Sequence, residues 1–197
     1  MASTKQNRTI SDFKGSLIGG GARPNLFEVE LTTLPDAITG WDATHFSYMC
    51  KAATLPASNI ANIDVPFRGR IFKVAGDRTI DPWTVTIIND EEFKLRNAFE
   101  EWADLIARLD NNMGVTNPED YMSNAKVYQL GRGATASSST NAGTNNAVLK
   151  EYEFFNIWPS AVAAIDLSYD STDTIEEFTV DFQVQSFKFT GAGGSNG

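Results

Sequence analysis

The clearest signal along the chain is strict alternation of apolar and polar positions. In Leu26 to Leu31, Phe27, Val29 and Leu31 share one face and Glu28 and Glu30 the other, the period of a half-buried strand. Phe178, Val180, Phe182 and Val184 alternate in the same way with Glu177, Thr179, Asp181 and Gln183. Trp83, Val85 and Ile87 alternate with Thr84 and Thr86, in a segment rich in β-branched residues. Weaker patterns predict strands over Phe46 to Ala53, Ile60 to Val65, Ile71 to Ala75, Lys126 to Leu130, Leu149 to Ile157 and Val162 to Ser168. Pro56, Gly69 and Asp81-Pro82 supply turn residues between several of these segments.

One segment follows a different period. Phe93, Phe99, Trp102, Ile106 and Leu109 recur at helical spacing between Asp90 and Leu109. Asn89 offers an N-cap, and Glu92, three residues on, completes a capping box. Asp90, Glu91 and Glu92 suit the positive end of a helix dipole and Arg108 the negative end. Many strands with one amphipathic helix predict a mainly β domain, a sandwich or barrel with the helix covering a sheet face or edge. The segment Met1 to Gly21 lacks a strong apolar period and reads as a flexible arm. Gly191 to Gly197 reads as a flexible tail, and the low-complexity stretch Gly131 to Asn146 as a long exposed loop. The predicted folded unit is therefore 22–190.

Composition narrows the function classes. A chain of 197 residues can bury a real core in a single domain. No apolar run approaches the roughly 18 residues that span a bilayer, so no membrane association is expected. A net charge of −9 argues against electrostatic gripping of nucleic acid, though not against a surface that nucleic acid must slide past. The one cysteine, Cys50, excludes an intramolecular disulfide framework and fits folding in a reducing cytosol.

Candidate chemistry is sparse. His45 is the only histidine and lacks the companions of a zinc site. Cys50 falls in the alternating run Phe46, Tyr48, Cys50, as expected of a buried small residue, and on a strand it would face away from His45. Gly19-Gly20-Gly21 follows no strand and precedes no Gly-Lys-Ser/Thr, so it is not a phosphate loop. Asp166 to Asp173 has oxygen ligands without EF-hand spacing and reads as a solvated turn. Val74 to Arg78 places Asp77 and Arg78 at an expected loop tip, where an ion pair would pin the turn. Trp83, Trp102 and Trp158 read as core or interface anchors. Neither a catalytic constellation nor a cofactor or metal site emerges, so the expectation is a protein that is not an enzyme.

Several longer motifs carry a family resemblance. Ala22-Arg23-Pro24-Asn25-Leu26-Phe27 resembles the first strand of the tail tube proteins of T4-like contractile-tailed bacteriophages. Cys50-Lys51-Ala52 with Leu55-Pro56 is similar to that family's second strand and its exit. The longest match runs from Val65-Pro66 through Gly69-Arg70 and Lys73-Val74-Ala75-Gly76-Asp77-Arg78-Thr79 to Trp83-Thr84-Val85-Thr86. It continues through Asn89-Asp90 to Arg96, Phe99 and Trp102, and Trp158-Pro159 with the last strand to Phe189 completes it. The chain departs from the pattern in a longer Leu34 to Thr44 connection, in the Ser/Thr/Asn loop after Gly131, and in both extended tails.

The resemblance implies a structural virion protein, a β subunit forming hexameric rings whose strands close into a continuous barrel. The rings would stack into a tube inside a contractile sheath, between baseplate and tail terminator proteins. The tape-measure protein and DNA would occupy the lumen transiently. Related readings are a tube-end or baseplate adaptor of the same fold, or the tube protein of a bacterial contractile secretion system. Asp77, Arg78, Arg23 and Arg70 are the expected inter-subunit contacts. A lumen of carboxylates and small polar groups would repel the duplex from the wall, and Glu28, Glu30, Glu177 and Asp181 are the candidates to line it.

Overall fold

The computed structural model describes residues 9–17, 20–132, 147–191 and 194–196. In chain order its elements are α1 (Ile10–Ser16), β1 (Phe27–Thr33), α2 (Ala43–Met49), β2 (Cys50–Thr54), β3 (Ser58–Phe67), β4 (Arg70–Ile80), β5 (Trp83–Ile88) and α3 (Lys94–Ile106). Then follow β6 (Ser123–Leu130), β7 (Val148–Val162), β8 (Glu177–Gly191) and β9 (Gly194–Asn196). The main sheet is antiparallel with strand order β1-β6-β7-β8-β5-β2, and β9 pairs with the end of β8. It curls until its edge strands β1 and β2 approach each other, and α2 packs against β1, β2 and β5 beside that seam. The fold is thus the expected mainly β, barrel-like unit with a packed helix. β3 and β4 form a separate two-stranded hairpin between β2 and β5.

The core explains why the alternating segments are strands. Val29 and Leu31 of β1, Trp83, Val85 and Ile87 of β5, and Phe178, Val180 and Phe182 of β8 are all buried against one another. A one-residue slip in any of these strands would expose its whole apolar set, so the register is strongly specified. Trp83 packs 4.9 Å from Phe154 and 5.1 Å from Phe182, measured between ring centroids. Over this layer lies α3, whose Leu95, Ala98, Phe99 and Trp102 form one buried stripe. The Trp102 indole N–H donates to the Tyr121 carbonyl at 2.7 Å, so burying the ring strands no donor there. Arg96 donates from Nη1 to the Ala163 carbonyl at 2.6 Å and lies over the Phe178 ring, tying the helix to the β7–β8 connection.

Several local expectations are corrected. The helix read over about 90–109 spans only Lys94–Ile106 and begins after Phe93, which takes a left-handed φ of 54°. Asn89 does not cap it, because the end of β5 claims that residue: its N–H donates to the Glu176 carbonyl at 2.9 Å and its Nδ2 to Glu176 Oε1 at 2.6 Å. Glu92 pairs with Lys94 instead of closing a capping box. The strand expected from Phe46 to Ala53 is α2 followed by β2. Asp42 makes the difference, its Oδ1 accepting from the N–H of Thr44 at 2.9 Å and of His45 at 3.2 Å. The strand expected over Val162 to Ser168 stops at Val162. Within the segment read as an arm, α1 forms a helix with a complete capping box between Thr9 and Asp12. The low-complexity loop lies, from 133 to 146, outside the described residues.

Candidate assembly surfaces

In the β3–β4 hairpin, every residue of β3 and nearly all of β4 are exposed. Its turn is Arg68-Gly69, both with positive φ (46° and 81°), the backbone a tight two-residue hairpin connection demands. Register pairs Ile63 with Val74, Val65 with Phe72, and Phe67 with Arg70, and residues paired across the ladder point to the same side. One side therefore carries Ile63, Val65, Phe67, Phe72 and Val74. The other carries Pro66 and Ile71 near the turn and Asn62, Asp64 and Lys73, these three joined by Asn62–Asp64 and Lys73–Asp64 contacts of 2.7 and 3.3 Å. The apolar side is open to solvent: Phe67 and Phe72 are each 67% exposed. A two-stranded hairpin standing alone is marginal in water, and its alternation makes sense only if something covers that side.

The expected polar contacts mostly fall on this hairpin. Arg70 is exposed beside the turn. Asp77 and Arg78 are exposed but do not form a loop tip; they continue β4 through a bulge opposite Ala61, where Ile60 pairs with Arg78 and Asn62 with Ala75. No ion pair joins Asp77 to Arg78 among the described residues. The Gly76-Asp77 pair that suggests a turn is accommodated instead by the bulge, the usual way an extra residue enters a ladder. Arg23 lies apart, exposed in the turn before β1, with its carbonyl accepting from Leu26 N–H and from Gln129 Nε2.

The four acidic candidates project from the non-core side of the main sheet. Around β1, cross-strand pairing sets Glu30 beside Lys126, Lys126 beside Glu153, and Glu153 beside Lys188, a row of alternating sign. Lys126 Nζ donates to Glu151 at 3.0 Å, and Tyr128 OH donates to Glu30 at 3.1 Å. Partial burial, with the Glu30 carboxylate second, pushes the Tyr128 phenol up to about 12. Glu28, next on that face, is exposed. Around β8, Glu177 pairs with Lys51 at 2.5 Å and Asp181 accepts from Thr84 Oγ1 at 2.5 Å, amid Thr86, Thr179 and Gln183. In the order β1-β6-β7-β8-β5-β2, β1 and β8 stand three steps apart in either direction once the seam is counted. Their outer faces therefore turn away from each other.

The residues weighed for catalysis are dispersed. His45 sits on α2 with Nε2 2.9 Å from Asp90 Oδ2. Cys50 opens β2 in the core, where burial pushes its thiol up to about 12 and removes the nucleophilic thiolate. Trp83 and Trp102 are fully buried, whereas Trp158 is half-buried.

The sequence model of the phage tail tube protein family matches residues 22–190. The chain is 37% identical over 162 residues to the tail tube protein gp19 of Enterobacteria phage T4, covering 82% of this chain and 88% of that one. The chain belongs to the phage tail tube protein family. A tail tube protein of Serratia phage KSP90 is 22% identical over 177 residues, spanning 89% of this chain and 93% of the relative. Among solved structures, the fold is similar to a chain of the PVC sheath–tube complex of an extracellular contractile injection system in its extended state. That match has a TM-score of 0.59 at 12% identity, covering 94% of this chain and 100% of the other. A chain of the anti-feeding prophage tube-terminating cap matches with a TM-score of 0.58 at 17% identity, over 87% and 92% of the two chains. At such identities these likenesses establish the fold. This tail tube protein is thus a structural component of a phage virion, as its β1, β2 and β3–β5 motifs led one to expect.

Proposed function

We propose that this tail tube protein assembles as hexameric rings that stack into a tube for genome passage, within a contractile sheath and between baseplate and tail terminator proteins. The observation that carries the reading is the β3–β4 hairpin, whose apolar side only a neighbouring subunit can cover repeatedly along a polymer. Asp77, Arg78 and Arg70 lie on the same hairpin and Arg23 in the exposed turn before β1; all four serve as polar contacts between subunits. The edges of β1 and β2 carry backbone groups that pairing across subunits would satisfy, closing the strands into a continuous barrel.

Only one of the two acidic faces can line the channel, because they point in opposite directions. The wall that faces passing DNA or the tape-measure protein needs little positive charge. The role is architectural and calls for no catalysis, and the protein is made in the host cytoplasm before joining the virion. Negative-stain images of purified protein test the reading: long tubes of sixfold symmetry are expected. Isolated rings that never stack would favour a tube-end adaptor, and a monomer at every concentration, even with baseplates added, would refute the proposal.

A further inference from the structure

Two further surfaces have no partner among the described residues, and they are complementary. The first is α1. Ile10, Phe13 and Leu17 follow each other at three- and four-residue steps and so share one side of the helix, yet they are 73%, 64% and 46% exposed. No residue of α1 is buried. The helix is not an accident of composition: Thr9 Oγ1 accepts from the Asp12 N–H, and the Asp12 carboxylate accepts in turn from the Thr9 N–H at 2.9 Å. The Thr9 N–H bond, with a second donated by Thr9 Oγ1 at 2.8 Å, holds the pKa of the Asp12 carboxyl below its ordinary value. A capped amphipathic helix of seven residues is too short to persist on propensity alone, so its apolar side calls for a surface to lie on.

The second surface is a groove of about 870 Å³ at the C-terminal end of α3. Its apolar lining comes from Ile38 in the β1–α2 connection, Leu105 on α3, and Leu109, Met113 and Val115 beyond it. Leu109 is 94% exposed and Met113 64%. The groove is held open by a built turn: Arg108 N–H donates to the Met113 carbonyl, and Val115 N–H donates to the Leu105 carbonyl at 3.0 Å. Gly114 passes so close to α3 that a Cβ there would sit 1.9 Å from the Ile106 carbonyl oxygen. The rim is acidic, with Glu101, Asp104 and Asp110 against the single Arg108.

Charge decides what fits. Lys14 lies in the last turn of α1, and Lys5 and Arg8 precede the helix, against the single acid Asp12. Residues 1–17 therefore carry three basic groups and one acidic group, opposite in balance to a rim with three acidic groups and one basic. We propose that α1 of one copy docks in the α3-end groove of a second copy. Ile10, Phe13 and Leu17 then cover Leu105, Leu109 and Met113, and Lys14 meets the Glu101–Asp104 rim. This rests on the assembly reading above and deepens it, because it gives the N-terminal segment a specific receptor within the tube.

The test uses two full-length variants, Phe13→Cys and Leu109→Cys, mixed under assembly conditions and treated with a short bismaleimide. Cys50 stays silent, since it is buried and its thiol is held protonated. The expected result is a covalent dimer that forms only in the mixture. Adding Asp104→Lys to the Leu109→Cys chain should reduce its yield about fivefold, the size expected for reversing an exposed ion pair. Lys14→Glu in the Phe13→Cys chain should restore it. Tubes that form normally without the cross-link would overturn the proposal while leaving the assembly reading intact. A Phe13→Cys/Leu109→Cys double variant that closes only within one chain would also overturn it, by assigning the groove to its own α1. If the wild-type chain made no tubes, the assembly reading would fall, and the cross-link in the mixture would still decide the docking.

Discussion

Phe72→Ala should prevent or weaken assembly while leaving the free subunit intact. Phe72 lies on the apolar side of the β3–β4 hairpin, paired with Val65, and is 67% exposed. A phenylalanine side chain presents roughly 200 Å². Two thirds of that, about 130 Å², is available to bury in an interface, worth about 3 kcal/mol at 25 cal/mol per Å². Ordering the ring costs about 0.5–1 kcal/mol. The net of about 2 kcal/mol corresponds to about a thirtyfold change in each subunit contact. The critical concentration for tube formation, read by sedimentation and by negative-stain imaging, should rise by at least that factor. The melting temperature of the unassembled subunit should move by no more than about 2–4 °C, because little of the ring is buried in its own domain. An unchanged critical concentration would refute the argument that this side of the hairpin is an interface. A large fall in melting temperature with normal tubes would show that the hairpin folds against its own subunit.

Three further outcomes follow from the geometry. Trp102→Ala should destabilise the subunit by about 3–5 kcal/mol, because the indole is fully buried and its N–H is bonded to the Tyr121 carbonyl; denaturant melts check it, and a loss below about 1 kcal/mol would contradict the packing of α3. The Tyr128 phenol, raised to about 12, keeps its proton while an unfolded chain's ionises near 10. Stability from this group is therefore present below pH 10 and lost between about 10 and 12, and Tyr128→Phe should flatten that part of the curve without altering it near neutrality. Paired reversals, Glu28→Lys with Glu30→Lys against Glu177→Lys with Asp181→Lys, should separate the two outer faces: tubes form in at least one case, and the pair on the channel wall slows genome ejection in a salt-dependent way. Equal ejection rates for both pairs would exclude both faces from the lumen.

Much of the protein was readable in the alternation of its residues. β5 buries one side completely, and β1 and β8 bury Val29, Leu31, Phe178, Val180 and Phe182 on one side, so their side chains had to alternate, and their register follows from that requirement. The stripe of α3 was equally legible, since Phe99 and Trp102 must meet one sheet. The hairpin strands were predicted in part, as Ile60 to Val65 and Ile71 to Ala75, and their apolar side is left exposed by the described residues.

Local pattern failed where two periods coincide or a distant partner intervenes. Phe46, Tyr48 and Cys50 satisfy a strand period, but over seven residues a helix with one buried face contradicts it only weakly, and the Asp42 cap tips the balance. Asn89 and Glu92 match a helix start, yet Glu176, far along the chain, holds Asn89 at the sheet end. Gly76-Asp77 suggests a turn until pairing with β3 absorbs it as a bulge. α1 could have been found from Thr9, Asp12 and the Ile10, Phe13, Leu17 spacing, but that spacing repeats too few times to stand out from a polar arm. The sequence by itself determined which residues alternate and therefore which strands exist, because burial of one side is a local, periodic demand. Only the tertiary structure decided which acidic faces oppose each other and which apolar surfaces remain open, because curling of the sheet and the projection of the hairpin depend on contacts between residues far apart in the chain.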